Sequence, residues 1–252
     1  EMLDYDVVVA VTNYSITHTD ARAAVCRRGG RVASMPGFLA EMFYPGGPMA
    51  VDYLQVAEDT QRLAAMLTAA ELARITSAAG TDLTIPLAGR QGMSDDGAYE
   101  APGKWGNLPA GEAYIAPPEG QASGWLVMEP GWHPGLETTV RLRFDGGLVS
   151  AVEGDGPVAD HLRSLFDFGS DDPTAVSRRN VGELGIGTNP NATSVVSTLE
   201  CEKIRGTVHI GIGDNAHMGG AVSSDSHMDV VINQPDLRLD DRLVIQAGAW
   251  LF

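Results

Sequence analysis

Residues 6–35 confine the start of the chain to one kind of structure. DVVVAVT (6–12) is an unbroken β-branched run of the sort buried on both faces of a parallel sheet. The segment NYSITHTDARAAVCRRGG offers Thr17 or Thr19 as the cap of a helix from Asp20 to Arg28, and Gly29 or Gly30 to end it. RVASM (31–35) reads as a second strand, so strand, helix and strand predict an α/β unit with a right-handed crossover. A helical pattern then runs from about Met49 to Ala79, with Leu54, Ala57, Leu63, Met66, Leu67, Leu72 and Ile75 near a 3.6 period.

Past Gly80 the texture changes to short strands separated by Gly, Pro and Asn: TDLTIPL, EAYIAP, GWLVME and TTVRLRFDGGLVSAVEG. The last of these carries a hairpin signal, with Asp145 and Gly146 at the turn. One helix, about 157–168, interrupts before VSRRNVGELGIGTNP, GTVHIGIGDN and HMDVVINQPDLRLDDRLVIQAGAWLF complete a strand-rich half. The shift in texture places a domain boundary near residue 79, giving an α/β N-terminal domain (1–79) and a strand-rich second domain (80–252).

Composition removes several function classes. Seventeen basic against 33 acidic residues give a formal charge of −16, which repels nucleic-acid phosphates and anionic membrane surfaces. No apolar run approaches the roughly 18 residues of a membrane span, and EMLDYDVVVA lacks the basic start of a secretory signal. Cys26 and Cys201 stand in unrelated segments without CxxC spacing, so neither a disulfide framework nor a thiolate zinc site is expected. A soluble protein of a reducing cytoplasm fits these features.

The candidate chemistry lies in VHIGIGDNAHMGGAVSSDSHMDVVI, which holds His209, His217 and His227, three of the chain's six histidines. His227 and Asp229 form an HxD pair, and a strand's period of two brings both side chains out on one face, where they can grip a metal. Glu183, among Leu184, Ile186 and glycines, and Glu112, in NLPAGEAYIAP, are carboxylates in apolar surroundings that ask for a partner. A divalent cation bound by Glu112, Glu183, His209, His227 and Asp229 is one such partner, and ordinary salt bridges are the other.

In order, NLPAGEAYIAP, VRLRFDGGLVSAVEGDG, NVGELGIGTNPNA, EKIRGTVHIGIGDNAHMGG and SHMDVVI resemble the catalytic half of the thermophilic-type metalloaminopeptidases, the aminopeptidase T family, over roughly residues 80–252. The resemblance implies an α+β catalytic domain with strongly bent antiparallel strands and a homodimer enclosing its sites. It implies two divalent ions (zinc, cobalt or manganese) on Glu112, Glu183, His209, His227 and Asp229. These would activate a water for removal of N-terminal residues from a peptide substrate. Either Glu112 or Glu183 would bridge the ions or shuttle protons.

The family's tyrosine shortly after the His209 position is missing, since no Tyr follows Tyr114. His217 lies near that place and is read either as a substitute oxyanion donor or added ligand, or as a loop histidine. Without a competent donor, a non-catalytic peptide-binding relative is a further reading.

GAYEAPGKWGNLPAG (97–111), SHMD and LDDRLVIQAG resemble a second group, the mononuclear-iron dihydroxypyridine ring-cleaving dioxygenases. In that group the positions of Glu112, Glu183 and His209 carry other residues. Their retention here favours two ions and hydrolysis, with the iron dioxygenase as the alternative. DVVVAVTNYSITHTDARAAVCRRGGRVASMPG resembles the α/β domain of both groups, with His18 near the helix start either facing substrate or serving structure. The family normally has more chain before this strand, so either the present start is expected to be trimmed or the first domain is expected to be reduced.

GELGIGTNP lacks dinucleotide-fingerprint spacing, no serine sits in a GxSxG elbow, and NYS and NAT are chance glycosylation matches. Trp105, Trp125, Trp132 and Trp250 read as core or interface anchors.

Overall fold

The computed structural model describes residues 1–17 and 19–252; His18 lies outside the described residues. The chain begins with β1 (Val7–Thr12), α1 (Asp20–Arg27), β2 (Arg31–Pro36) and α2 (Tyr53–Ala69). There follow β3 (Leu72–Thr76), β4 (Asp82–Pro86), β5 (Met93–Asp95), β6 (Trp105–Asn107), β7 (Glu112–Ile115), β8 (Ser123–Met128), β9 (Val140–Asp145) and β10 (Leu148–Glu153). Then come α3 (Pro157–Phe166), α4 (Pro173–Ser177), β11 (Val181–Gly187), α5 (Thr198–Cys201), β12 (Val208–Gly213), β13 (His227–Ile232), β14 (Asp236–Leu239), β15 (Arg242–Gln246) and β16 (Ala249–Trp250).

These strands form three sheets. The first is parallel, in the order β1-β2-β6. The second is antiparallel with eight strands, β10-β9-β8-β4-β3-β14-β15-β16, and the third antiparallel with five, β13-β12-β11-β7-β5. The architecture is thus mixed α/β with antiparallel sheets. Residue 79 falls in the turn between the paired strands β3 and β4, and β6 joins the sheet begun by β1 and β2. Both sheets therefore draw on chain from either side of that position.

Local signals fix several ends, and at α1 the cap is one of the two threonines expected. Thr19 caps α1, its side chain accepting from the Arg22 N–H, and Asp52 caps α2 by accepting from Leu54. The expected β9–β10 hairpin forms, but its two-residue turn is Gly146 and Gly147, both at positive φ, and not Asp145 and Gly146, because Asp145 still pairs with Leu148.

Two expectations need correction. DVVVAVT forms a strand but is not buried on both faces: Val7, Val9 and Val11 are 48%, 59% and 62% exposed. β1 is the edge of a three-stranded sheet, and only β2 is flanked on both sides. A β-branched run specifies extended backbone and leaves open what covers it. The helix expected from Met49 to Ala79 spans only Tyr53–Ala69, and Leu72–Thr76 is the strand β3. There Leu72 and Arg74 are exposed while Ala73 and Ile75 are buried, a period of two, and pairing to β4 and β14 satisfies the backbone.

The core lies between the two antiparallel sheets. Leu184, Ile186, Val208, Ile210, Ile212, Val230 and Ile232 project from the five-stranded sheet into one buried cluster with Ile75, Leu83, Ile85, Leu126, Leu142 and Phe144 of the larger sheet. Among the described residues, no helix is long and apolar enough to cross a membrane.

Candidate metal centre

The five-stranded sheet gives its other face to polar groups, because its strands alternate. Ala113 and Ile115 enter the core, so Glu112 and Tyr114 of β7 face away from it; His209 of β12 and His227 and Asp229 of β13 do likewise. Glu183 reaches this face through a bulge. The β11–β12 register shifts between Val181, opposite Ile212, and Glu183, opposite Gly211, so Val181 enters the core while Glu183 does not.

Glycines clear the floor on which these side chains lie. A Cβ at Gly185 would stand 2.0 Å from His209 Nε2, and one at Gly211 would stand 2.7 Å from both Glu183 Cβ and His227 Cε1. The missing side chains of Gly185 and Gly211 are what let imidazoles rest against a sheet.

His209 Nε2 lies 3.3 Å from Glu112 Oε2 and 3.5 Å from Glu183 Oε1. His227 Nε2 lies 3.3 Å from the other Glu183 oxygen, Oε2, and 3.2 Å from Asp229 Oδ1. The His227 Nδ1 is 2.8 Å from the Asp214 carbonyl, which fixes it as the N–H donor and turns Nε2 toward the carboxylates. Glu183 joins two groups whose donor atoms each fall within 4.8 Å of one another: Glu112, Glu183 and His209, and Glu183, His227 and Asp229.

Charge explains why these groups tolerate burial. For His209, burial disfavours the imidazolium, but the Glu183 hydrogen bond and the nearby carboxylates outweigh it and push the pKa up to about 9. For Glu183, burial acts upward and is overcome by hydrogen bonds from His209 and His227, leaving a pKa of about 2. Against the same opposition from burial, His227 is held well above and Asp229 below its ordinary range, each by the other. The carboxylates thus draw positive charge to this point, and without a metal protons on the two imidazoles supply it. A divalent cation is the natural replacement for that charge; Glu112 Oε2, which is buried, has the His209 Nε2 contact at 3.3 Å but no hydrogen bond among the described residues.

All five side chains expected to bind metal therefore converge and line one cavity of about 1130 Å³. Its lining also takes in the carboxyl ends of the parallel strands: Ser15 and Thr17 after β1, Gly37 after β2, and Asn107 in β6. Ligands commonly settle in such a crevice. His217 is placed differently: it sits in the 3-10 turn Ala216–Met218, 3.4 Å from Asp214 Oδ2, and its neighbour Met218 lines the cavity instead.

Three residues of the site escaped the sequence reading. Lys203, 0% exposed, sets its Nζ 2.5 Å from Glu112 Oε1, 2.7 Å from Glu202 Oε1 and 3.8 Å from Asp95 Oδ2. Burial pushes the Glu202 carboxyl up to about 8 and that of Asp95 to about 7, with the Lys203 ammonium opposing both shifts. EKIRG and MSDDG look like solvated charge in sequence; the strand pairing of Asp95 with Glu112 brings the second inward, and the backbone bonds of Lys203 to Glu200 and Asn189 seat the first.

Imidazoles and carboxylates gathered at the foot of a crevice define a candidate metalloprotein on a mixed α/β scaffold. The family model for NicX, 2,5-dihydroxypyridine 5,6-dioxygenase, matches residues 1–251, and the chain belongs to that family. A curated 2,5-dihydroxypyridine 5,6-dioxygenase of Pseudomonas putida KT2440 is 25% identical over 260 residues, covering 95% of this chain and 70% of its own. The solved 2,5-dihydroxypyridine dioxygenase of the same organism superposes with a TM-score of 0.81 at 20% identity, over 99% of this chain and 73% of that one. Wild-type AmpT from Thermus thermophilus follows at 0.63 and 20% identity, over 94% and 62%. Those two likenesses carry the fold alone.

The family match overturns the reading as an aminopeptidase, a hydrolase and metalloprotease acting on peptides. Retained Glu112, Glu183 and His209 had favoured hydrolysis, but side chains that can hold metal do not by themselves fix the reaction. The two-metal hydrolytic site loses its support with it, while the cluster keeps donor groups that could hold a metal ion.

Proposed function

We propose that this protein is a metal-dependent dioxygenase that opens the ring of a dihydroxypyridine-type aromatic, with iron as its metal. The observation that carries the reading is the family match along residues 1–251. The donor set agrees with it, since mixed imidazole and carboxylate ligands suit iron(II). Glu183, His227 and Asp229, whose donor atoms lie within 4.8 Å of one another, would hold the ion. Iron(II) bound there would supply the one-electron chemistry that lets dioxygen react with an aromatic diol.

The rest falls to the chain. The Asp214 carbonyl orients His227, and His209 steadies the Glu183 carboxylate through Oε1. In the same cavity, Ser15, Thr17 and Asn107 offer hydroxyl and amide groups for polar ring substituents, and Trp105 offers an aromatic surface. The Arg22 guanidinium lies over that indole, 4.0 Å from its centroid, a cation–π contact that favours this ring position. Ala64, Ala65 and Leu199 narrow the water-accessible space beside them.

The test is an oxygen-electrode assay of iron(II)-loaded protein with 2,5-dihydroxypyridine, alongside analysis of the product. Oxygen uptake with ring opening, abolished in His227→Ala, is expected. An absence of uptake by protein that carries bound iron would overturn the proposal.

A further inference from the structure

We propose that Lys203 is a positioning residue that withdraws Glu112 from the ligand set, so that this chain holds one metal ion where its five donor side chains would otherwise hold two. The inference rests on the reading of the cluster as a metal centre. Two overlapping donor groups share Glu183, and on side chains alone each is a plausible ligand set. Their surroundings differ. Glu183 and Asp229 both pair with His227, and Glu183 also with His209, whereas the group of Glu112, Glu183 and His209 is invaded by an ammonium on Glu112 Oε1.

Lys203 is built into that place. Its Nζ is enclosed by Glu112, Glu202 and Asp95, and its side chain is fully buried. Its backbone is tied at both ends, its N–H donating to the Glu200 carbonyl and its carbonyl accepting from Asn189 N–H at 2.9 Å. The chain can pass so close only because Gly187, the strand partner of Glu112, has no side chain; a Cβ there would stand 2.1 Å from Ile204 O and 2.8 Å from Lys203 C. The same glycine that flanks Glu112 therefore admits the lysine that occupies it.

A divalent cation on Glu112 would share one carboxylate with a desolvated ammonium, and like charges at that range repel strongly in a buried site. Nor can the ammonium leave without stranding buried carboxylates. Lys203 thus fills the second cation position with a fixed charge. His209, left without a metal to bind, becomes a hydrogen-bond donor that orients Glu183.

Elemental analysis and cobalt(II) titration of the full chain test this. Expected are one ion per chain in the parent, one ion at unchanged affinity in Glu112→Gln, and two per chain in Lys203→Met. Because Lys203→Met leaves three carboxylates around a void, the charge-balanced pair Lys203→Met with Glu202→Gln is the second variant. Two ions in the parent, a single ion in the folded Lys203 variants, or loss of the ion in Glu112→Gln would each overturn the proposal. Where neither Lys203 variant folds, the Glu112→Gln arm decides alone. Glu183→Gln separates the two readings: if it binds cobalt as the parent does, the metal centre itself is wrong.

Discussion

Gly185 faces His209 across the β11–β12 pair, and its φ is one that any residue adopts, so what it contributes is room. The Cβ of Gly185→Ala would overlap the imidazole at Nε2 and Cε1, at 2.0 and 2.2 Å. The ring is 1% exposed and enclosed, so it can yield only by turning away from Glu183. Loss of an orienting partner of this kind weakens metal binding by ~10–100-fold, and that is the expected result for Gly185→Ala in a cobalt(II) titration. Gly169 is the control, because a Cβ added there would meet nothing within 4 Å, and Gly169→Ala should leave affinity unchanged and stability within ~0.5 kcal/mol. Equal affinities in the two variants would mean that His209 takes no part in the site.

At the scale of elements, β3 separates two ways of reading one hydrophobic pattern. On a helix, Leu72 and Ile75 would share a buried stripe; on the strand they point to opposite faces, Ile75 at 0% and Leu72 at 40% exposure. Ile75→Ala should therefore cost about 2–5 kcal/mol by opening a cavity between the sheets. Leu72→Ala should cost under ~1 kcal/mol, as at a half-open position. Urea denaturation midpoints decide it, and similar losses at the two positions would contradict the strand. The strands that carry the site were legible for the same reason that β3 was not. In β12 and β13 six residues of alternation put His209, His227 and Asp229 opposite an apolar face, with Glu112 doing the same on the shorter β7, whereas the five residues Leu72–Thr76 satisfy both periods. The bulge at Gly182 left no trace in the pattern, although it decides which face Glu183 takes. Lys203 and Asp95 were hidden because their burial depends on register between strands distant in sequence. The exposure of β1 was hidden because strand propensity carries no record of neighbours.

The whole molecule is held together where its sheets meet, and a titratable group marks one such contact. His133 lies in the connection from β8 of the eight-stranded sheet to β9, and it hydrogen-bonds the backbone of Val231 in β13 of the five-stranded sheet. Its Nε2 is buried with no hydrogen-bond partner among the described residues. Burial pushes its pKa down from 6.5 to about 4, the Val231 hydrogen bond opposing the shift only in part. Between those two values the unfolded chain binds a proton at His133 that the folded chain refuses, so unfolding is favoured as pH falls from about 6.5 toward 4. Above that window the group is neutral in both states and contributes no pH dependence; across it the loss is on the order of 3 kcal/mol. Other groups titrate over the same range, so the measurement is a difference: unfolding free energy of the parent and of His133→Gln, each followed from pH 7 to pH 4. The parent should lose stability more steeply on acidification, the two curves converging as pH falls. Parallel curves would mean that the contact between the sheets accepts an imidazolium, and that His133 is not the group through which acid loosens them.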